Sequence, residues 1–211
     1  MITEDRKQNL KMALIAAAER AVAARGLAGL KARSLAAEAG CAVGAIYNVV
    51  ADLDDLALAV NSRTHVALEE ELTAVAGVDP AKPAVEADRA VGRLIQLAVA
   101  YLDFAAANTR RWRALFEHRL PEGKPMPDWY LGEQIRLFGF IEQPLRDLLP
   151  SMAPEQRAML ARTMFSATHG IVALGLEEKL GAVSLEELRN QTTLIVSAIV
   201  TGLLAPGKTA L

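Results

Sequence analysis

The sequence is poor in the residues that build disulfide scaffolds, metal centres and aromatic cores: one cysteine, three histidines, five phenylalanines, three tyrosines and two tryptophans in 211 residues. A lone thiol, Cys41, excludes an internal disulfide and leaves no second sulfur for structural zinc or a redox pair, which fits a reducing compartment. An excess of one charge is also lacking. Lys and Arg total 23 against 25 Asp and Glu, a net charge of -2, with 52% apolar residues, so the composition is that of a folded chain and not of a disordered tail. Near the N-terminus the apolar run 12–18 follows Glu4 and Asp5 and precedes Glu19, Arg20 and Arg25 at helical spacing, unlike a cleavable signal. Later apolar stretches read as interrupted before the roughly 18 residues that a bilayer crossing needs. A cytoplasmic protein with no membrane partner is expected. There is no serine in a nucleophile-elbow context, no phosphate-cradling glycine loop, and no His/Cys cluster; no metal, no cofactor and no enzyme activity are implied.

What the chain does have is alanine, 39 of 211 residues, without an Asn-Gly or Asp-Gly hairpin signal, and this predicts an all-α fold. Breakers divide it into about nine helical segments, near 5–25, 32–39, 43–49, 52–77, 85–107, 109–119, 128–149, 154–180 and 185–204. Gly26 and Gly40 stand at breaks in the first part; Pro80, Pro83, Pro121, Pro125, Pro127, Pro150, Pro154 and Pro206 punctuate the rest. Pro144 falls inside a segment and predicts a kink or break. Asp52, Asp54 and Asp55 load a first turn with helix-favouring charge, and Ser184 and Glu187 have capping-box spacing.

The charge is uneven. Residues 1–51 carry seven Lys and Arg against four Asp and Glu, or +3, which leaves -5 for the remainder. A basic head on an acidic body suits a head that meets a polyanion.

The informative stretch is 35–49. Two helices that cross over a tight turn need a small residue where they touch, a turn residue tolerant of positive φ, and apolar residues that return to the first helix; Ala36, Gly40, Ile46 and Val49 supply these in order, with Leu35 and Ala39 completing the inward face. On spacing alone, an ordinary helical hairpin within a core is the other reading.

With Ala16-Ala17, Arg25-Gly26-Leu27, Arg33-Ser34-Leu35-Ala36, Glu38-Ala39-Gly40 and Val43-Gly44-Ala45-Ile46-Tyr47-Asn48, the chain resembles the tetracycline-repressor-like (TetR) family of bacterial transcriptional regulators. The resemblance covers about the first 60 residues, and Trp112 to His118 and His169 to Val172 resemble a subgroup of the family's C-terminal domains. It implies a three-helix helix-turn-helix DNA-binding domain at 1–51, a helical effector-binding and dimerisation domain at 52–211, and a recognition helix at 43–49 entering the major groove. The DNA-binding set it implies is Lys31, Arg33, Val43, Gly44, Ala45, Tyr47 and Asn48. Tyr47 matches a phosphate contact, and Ala45 offers its methyl to a thymine. Departures are visible. The family usually has Ser or Thr at Lys31 and Ala42, a histidine and an aromatic at Val49 and Val50, and a lysine at Leu53.

The aromatics beyond Tyr47 either pack a core or line an effector pocket; Trp112, Phe116, His118, Trp129 and His169 are the candidates for an apolar or amphipathic effector. His65 and Glu69, at i, i+4, read as a solvated pair, and Arg110, Arg111 and Arg113 as salt-bridging groups or the lip of an anion site. The segment 194–204 is apolar almost all round and must be covered on more than one side. By resemblance, Ile195, Ala198, Ile199 and Gly202 pair with a second copy. The expectation is a homodimeric, ligand-responsive repressor on an inverted-repeat operator of double-stranded DNA. The alternative is a helical effector-binding protein whose DNA head has decayed.

Overall fold

A computed structural model describes residues 4–76, 87–179 and 181–205. Among these the chain forms nine α-helices and no strand: α1 (Glu4–Arg25), α2 (Ala32–Glu38), α3 (Val43–Ile46), α4 (Leu53–Ala76), α5 (Ala87–Ala107), α6 (Thr109–Glu117), α7 (Asp128–Leu148), α8 (Pro154–Leu176) and α9 (Leu185–Leu204), with a 3-10 turn at Gly26–Gly29 after α1. The proposed boundaries at Gly77, Pro80, Pro83, Val85, Leu180 and Pro206 lie outside the described residues.

Two compact units make up the chain. The first joins residues up to Ala67 with Asn108–Glu133; the second joins Leu68–Ala107 with the residues from Gln134 on. In the first, the alanine face of α1 (Leu14, Ala17, Ala18, Ala21, Val22) packs with Leu35 and Ala36 of α2, Ile46 of α3, Leu56 and Val60 of α4 and Ala114 of α6. Small side chains on α1 let the short helices approach closely, and burying this set supplies the head with an apolar core that α2 and α3 are too short to make for themselves. These compact units do not coincide with the division at 51/52 that the resemblance leads one to expect.

In the second unit Ala90 and Leu94 of α5, Leu145 and Leu148 of α7, Ala161 and Met164 of α8, and Val196 and Val200 of α9 form the core. At Gly175 of α8 an added Cβ would lie 2.3 Å from a Leu188 methyl, so the absence of a side chain there makes room for Leu188 of α9. Over Arg89–Ala107, α5 does reach the length and mean hydropathy, 1.4, of a membrane span, contrary to the reading that every later apolar stretch is interrupted; it packs against α8 and α9 within this unit.

Pro144 does not break α7, which runs unbroken through it. Phe140, Gln143, Leu145 and Leu148 around it are buried, and that packing outweighs the roughly 3 kcal/mol that an internal proline costs a helix. Ser184 caps α9 as its spacing predicts, accepting the Glu187 N–H at 3.1 Å, but the Glu187 carboxylate turns away to accept from Gln191 at 2.6 Å and the box stays half made.

Candidate functional site

The turn between α2 and α3 is built by the backbone. Gly40 takes φ +69, the N–H of Cys41 bonds the Ala36 carbonyl at 2.9 Å, and the N–H of Gly40 bonds that of Ala37 at 3.3 Å, which is the Schellman arrangement at a helix C-terminus. Leu35, Ala36 and Ile46 are buried beneath it, and Arg20 of α1 forms an ion pair with Glu38. The second helix is shorter than expected. α3 ends at Ile46, not Val49, and the chain continues in single turns with Asn48 N–H to Ala45 O at 3.2 Å and Val49 N–H to Ile46 O at 3.0 Å. At its start the N-cap, Ala42, has no side-chain oxygen to accept an orphan N–H. Lys31, the N-cap of α2, also makes no side-chain cap bond, so both positions where the resemblance expects Ser or Thr lack a side-chain cap.

The proposed DNA contacts divide by exposure. Lys31, Arg33, Val43, Gly44, Tyr47 and Asn48 are exposed, whereas Ala45 is half-buried. Tyr47 keeps 52% of its surface in solvent, and among the described residues the side chains of Lys31, Arg33, Tyr47 and Asn48 enter no hydrogen bond or ion pair, so these four polar side chains stay available to an outside partner. Leu53, at the first position of α4, packs against the head core instead of extending a charge.

That end of α4 is held by charge from elsewhere. Asp52 accepts the Asp55 N–H at 3.0 Å, Asp55 accepts the Ala51 N–H at 2.8 Å, and Lys124 reaches both carboxylates, at 2.6 and 3.6 Å. The Lys124 hydrogen bond holds the Asp52 carboxyl below its usual range. Further along, Glu19 of α1 is bracketed by Arg63 of α4 at 2.7 Å and Arg111 of α6 at 3.1 Å, so Arg111 salt-bridges within the head.

The five proposed effector contacts are not brought into one compact unit. Trp112, Phe116, His118 and Trp129 belong to the first, His169 to the second. Trp112 is buried edge-to-face on Phe116, and His118 faces Asp54 at 3.0 Å. Trp129 is 51% exposed and lines a cleft of about 300 Å³. In the second unit His169 Nδ1 lies 2.7 Å from the Tyr101 hydroxyl and stacks on Phe165, which also meets Phe138; burial pushes the imidazole below its ordinary pKa.

Sequence reasoning missed a buried polar group in the first unit. His65 does not pair with Glu69; it is buried and faces Glu133 at 3.1 Å, whose other oxygen accepts from Ser62 at 2.6 Å, while Glu69 meets Arg136. Tyr130 rests beside His65, and burial pushes its hydroxyl up to about 12. The partners lie 68 and 71 residues apart, so no local spacing signals them.

On α9, Leu188, Thr192, Val196 and Val200 face inward, and Ile195 and Ile199 are half-buried against the same core. Leu194, at 61%, Ala198 and Gly202 recur every four residues on the exposed side, and Met159 and Leu174 of α8 are exposed as well.

Comparison with known proteins bears on the second unit as much as on the head. Residues 94–199 match the family model of the tetracyclin repressor-like C-terminal domain. No curated protein matches. Similar solved structures include a protein of unknown function from Rhodococcus sp. RHA1 (23% identity, TM-score 0.66, covering 93% of this chain and 96% of that one). Two others are TetR-family transcriptional regulators, from Bordetella parapertussis (17%, 0.58, 90% and 94%) and Streptomyces coelicolor (17%, 0.60, 97% and 84%). At these identities the structures speak for the fold; the family model, which covers half of the chain, speaks for descent. With an N-terminal helix-turn-helix and a matching C-terminal domain, the chain belongs to the tetracycline-repressor-like family of transcriptional regulators.

Proposed function

We propose that the chain is a homodimeric, ligand-responsive repressor that reads double-stranded DNA through residues 1–51, with 52–211 serving effector binding and dimerisation. The observation that carries this reading is the combination of a hydrogen-bonded turn with uncommitted polar side chains: the Schellman turn at Gly40 leads into α3, and the side chains of Arg33, Tyr47 and Asn48 are exposed with no internal partner among the described residues. Lys31 and Tyr47 suit phosphates, Val43 and Gly44 permit close approach, Ala45 supports that approach from its half-buried place, and Arg33 and Asn48 suit base edges. A twofold dimer requires an inverted repeat with half-site centres about 34 Å apart or a further whole turn.

The exposed stripe Leu194, Ala198, Gly202 supports dimerisation through α9 and α8, with Ile195 and Ile199 backing it from the monomer core. An apolar or amphipathic effector is proposed either for Trp112, Phe116, His118 and Trp129 of the first unit or for His169 of the second; the aromatic surroundings of His169 favour a flat molecule that accepts or donates one hydrogen bond. Release follows if the effector prefers the conformation that binds DNA less well. Such a protein works in the cytoplasm.

Footprinting on the DNA upstream of the gene tests the reading. Protection of an inverted repeat, weakened for all sequences by Tyr47→Phe and altered in preference by Arg33→Ala or Asn48→Ala, is expected; no protection at low salt contradicts it. The second reading, an effector-binding protein with a decayed head, is favoured by Ala42, which leaves α3 uncapped, and by Leu53, whose side chain is spent on the core.

A further inference from the structure

The cleft beside Trp129 lies wholly within the first unit, apart from the aromatic cluster around His169. Ile15 of α1, Leu58 of α4, Pro127 and Trp129 line it, and Ile15 and Leu58 are buried where Trp129 is exposed. An exposed tryptophan is a large apolar surface left in water, and this one is held in place by Tyr130, edge to face at 5.6 Å. At about 300 Å³ the space is at the small end of ligand pockets and suits one or two rings.

Two charged residues line it, Lys11 and Asp55. Asp55 is already engaged, accepting the Ala51 N–H at 2.8 Å with Lys124 at 3.6 Å. Lys11 makes no ion pair or side-chain hydrogen bond among the described residues, so the unspent charge at the cleft is positive. Val50 also lines it, and the Val50 N–H bonds the Ile46 carbonyl at 3.1 Å, so the wall includes the segment that leaves α3.

We propose that this cleft binds a small aromatic monoanion, a ring of one or two cycles bearing a carboxylate. The ring lies against Trp129 and Pro127 over Ile15 and Leu58, and the carboxylate accepts a charge-assisted hydrogen bond from the Lys11 ammonium. Because Val50 is part of the wall, occupancy is linked to how the end of α3 is held. The site shares Trp129 with the effector reading given above, to which it adds a ligand class and the Lys11 contact, and it does not depend on DNA recognition.

The test uses the full chain titrated with benzoate, with neutral benzamide and with cationic benzylamine, by calorimetry and by the two tryptophan indole N–H signals in a nitrogen-15 spectrum. Benzoate should saturate at one per chain and shift the Trp129 signal, not that of Trp112, with benzamide about tenfold weaker and benzylamine weaker still. Lys11→Met, which keeps the alkyl stem, should bring benzoate down to the benzamide affinity at unchanged melting temperature, and Trp129→Ala should weaken both ring ligands. The proposal is overturned if benzoate does not saturate by about 10 mM. It is equally overturned if benzylamine binds as tightly as benzoate, if only Trp112 shifts, or if Lys11→Met leaves the preference for benzoate intact.

Discussion

The ammonium of Lys124 lies 2.6 Å from one oxygen of Asp52 while the other oxygen accepts the Asp55 N–H at 3.0 Å, so a single carboxylate both caps α4 and anchors the segment after α6. The end of α4 nearest the helix-turn-helix is thereby fixed by a residue 72 positions along the chain, in place of a charge at Leu53.

Asp52→Ala should cost about 1 kcal/mol at neutral pH, the usual worth of a lost N-cap, whereas Lys124→Met should cost much less because that ion pair is solvent-screened. The Asp52 carboxyl is held below its unfolded pKa, so its contribution is present above the unfolded value of 3.8 and fades as pH falls through the folded one. Urea unfolding of parent and Asp52→Ala at pH 7 and in acid should show the gap between them closing in acid.

Ala42→Ser should stabilise the chain by about 0.5–1 kcal/mol by supplying the missing cap of α3. Gly40→Ala should do the reverse, by about 1–2 kcal/mol, since φ +69 places a Cβ against the following carbonyl. Thermal unfolding of both variants checks the pair; equal melting temperatures would mean that the turn is not held as described.

His169 is half-buried against Tyr101 and Phe165, and that burial holds its folded pKa below the unfolded 6.5. The second unit should therefore be fully stable above about pH 6.5 and lose stability as pH falls toward the folded value, and His169→Gln should remove most of that acid dependence. Denaturant midpoints from pH 8 to pH 5 would show it.

Leu194→Glu and Ala198→Glu each place a charge on an exposed face and should leave the single chain folded, yet give monomers in sedimentation if that face is the dimer seam. Ile199→Glu is the poorer probe, because Ile199 also packs on its own core. A monomeric parent at micromolar concentration would contradict the dimer.

The helices were legible because alanine-rich runs with glycine and proline breaks are local signals, and α9 begins and ends where its spacing places it. The helix-turn-helix was legible for the same reason: Ala36, Gly40 and Ile46 each report a steric need within a dozen residues. What the spacing did not reveal was long-range pairing. His118 is bound to Asp54, and His65 to Glu133, by contacts that only tertiary packing creates. The early stop of α3 was not visible in the spacing, because it depends on the backbone beyond Ile46, where tighter single turns take over.

The central claim is that the head reads DNA, and a titration at several salt concentrations against the upstream duplex and a scrambled one tests it most directly. The account predicts a dimer on an inverted repeat, tighter on the upstream duplex, with affinity falling linearly in log salt. It also predicts that Leu53→Lys steepens that slope by about one counterion per subunit while lowering the melting temperature, because the leucine it replaces packs on the core. Binding to neither duplex at low salt, with nothing restored by Leu53→Lys or Ala42→Ser, would contradict it.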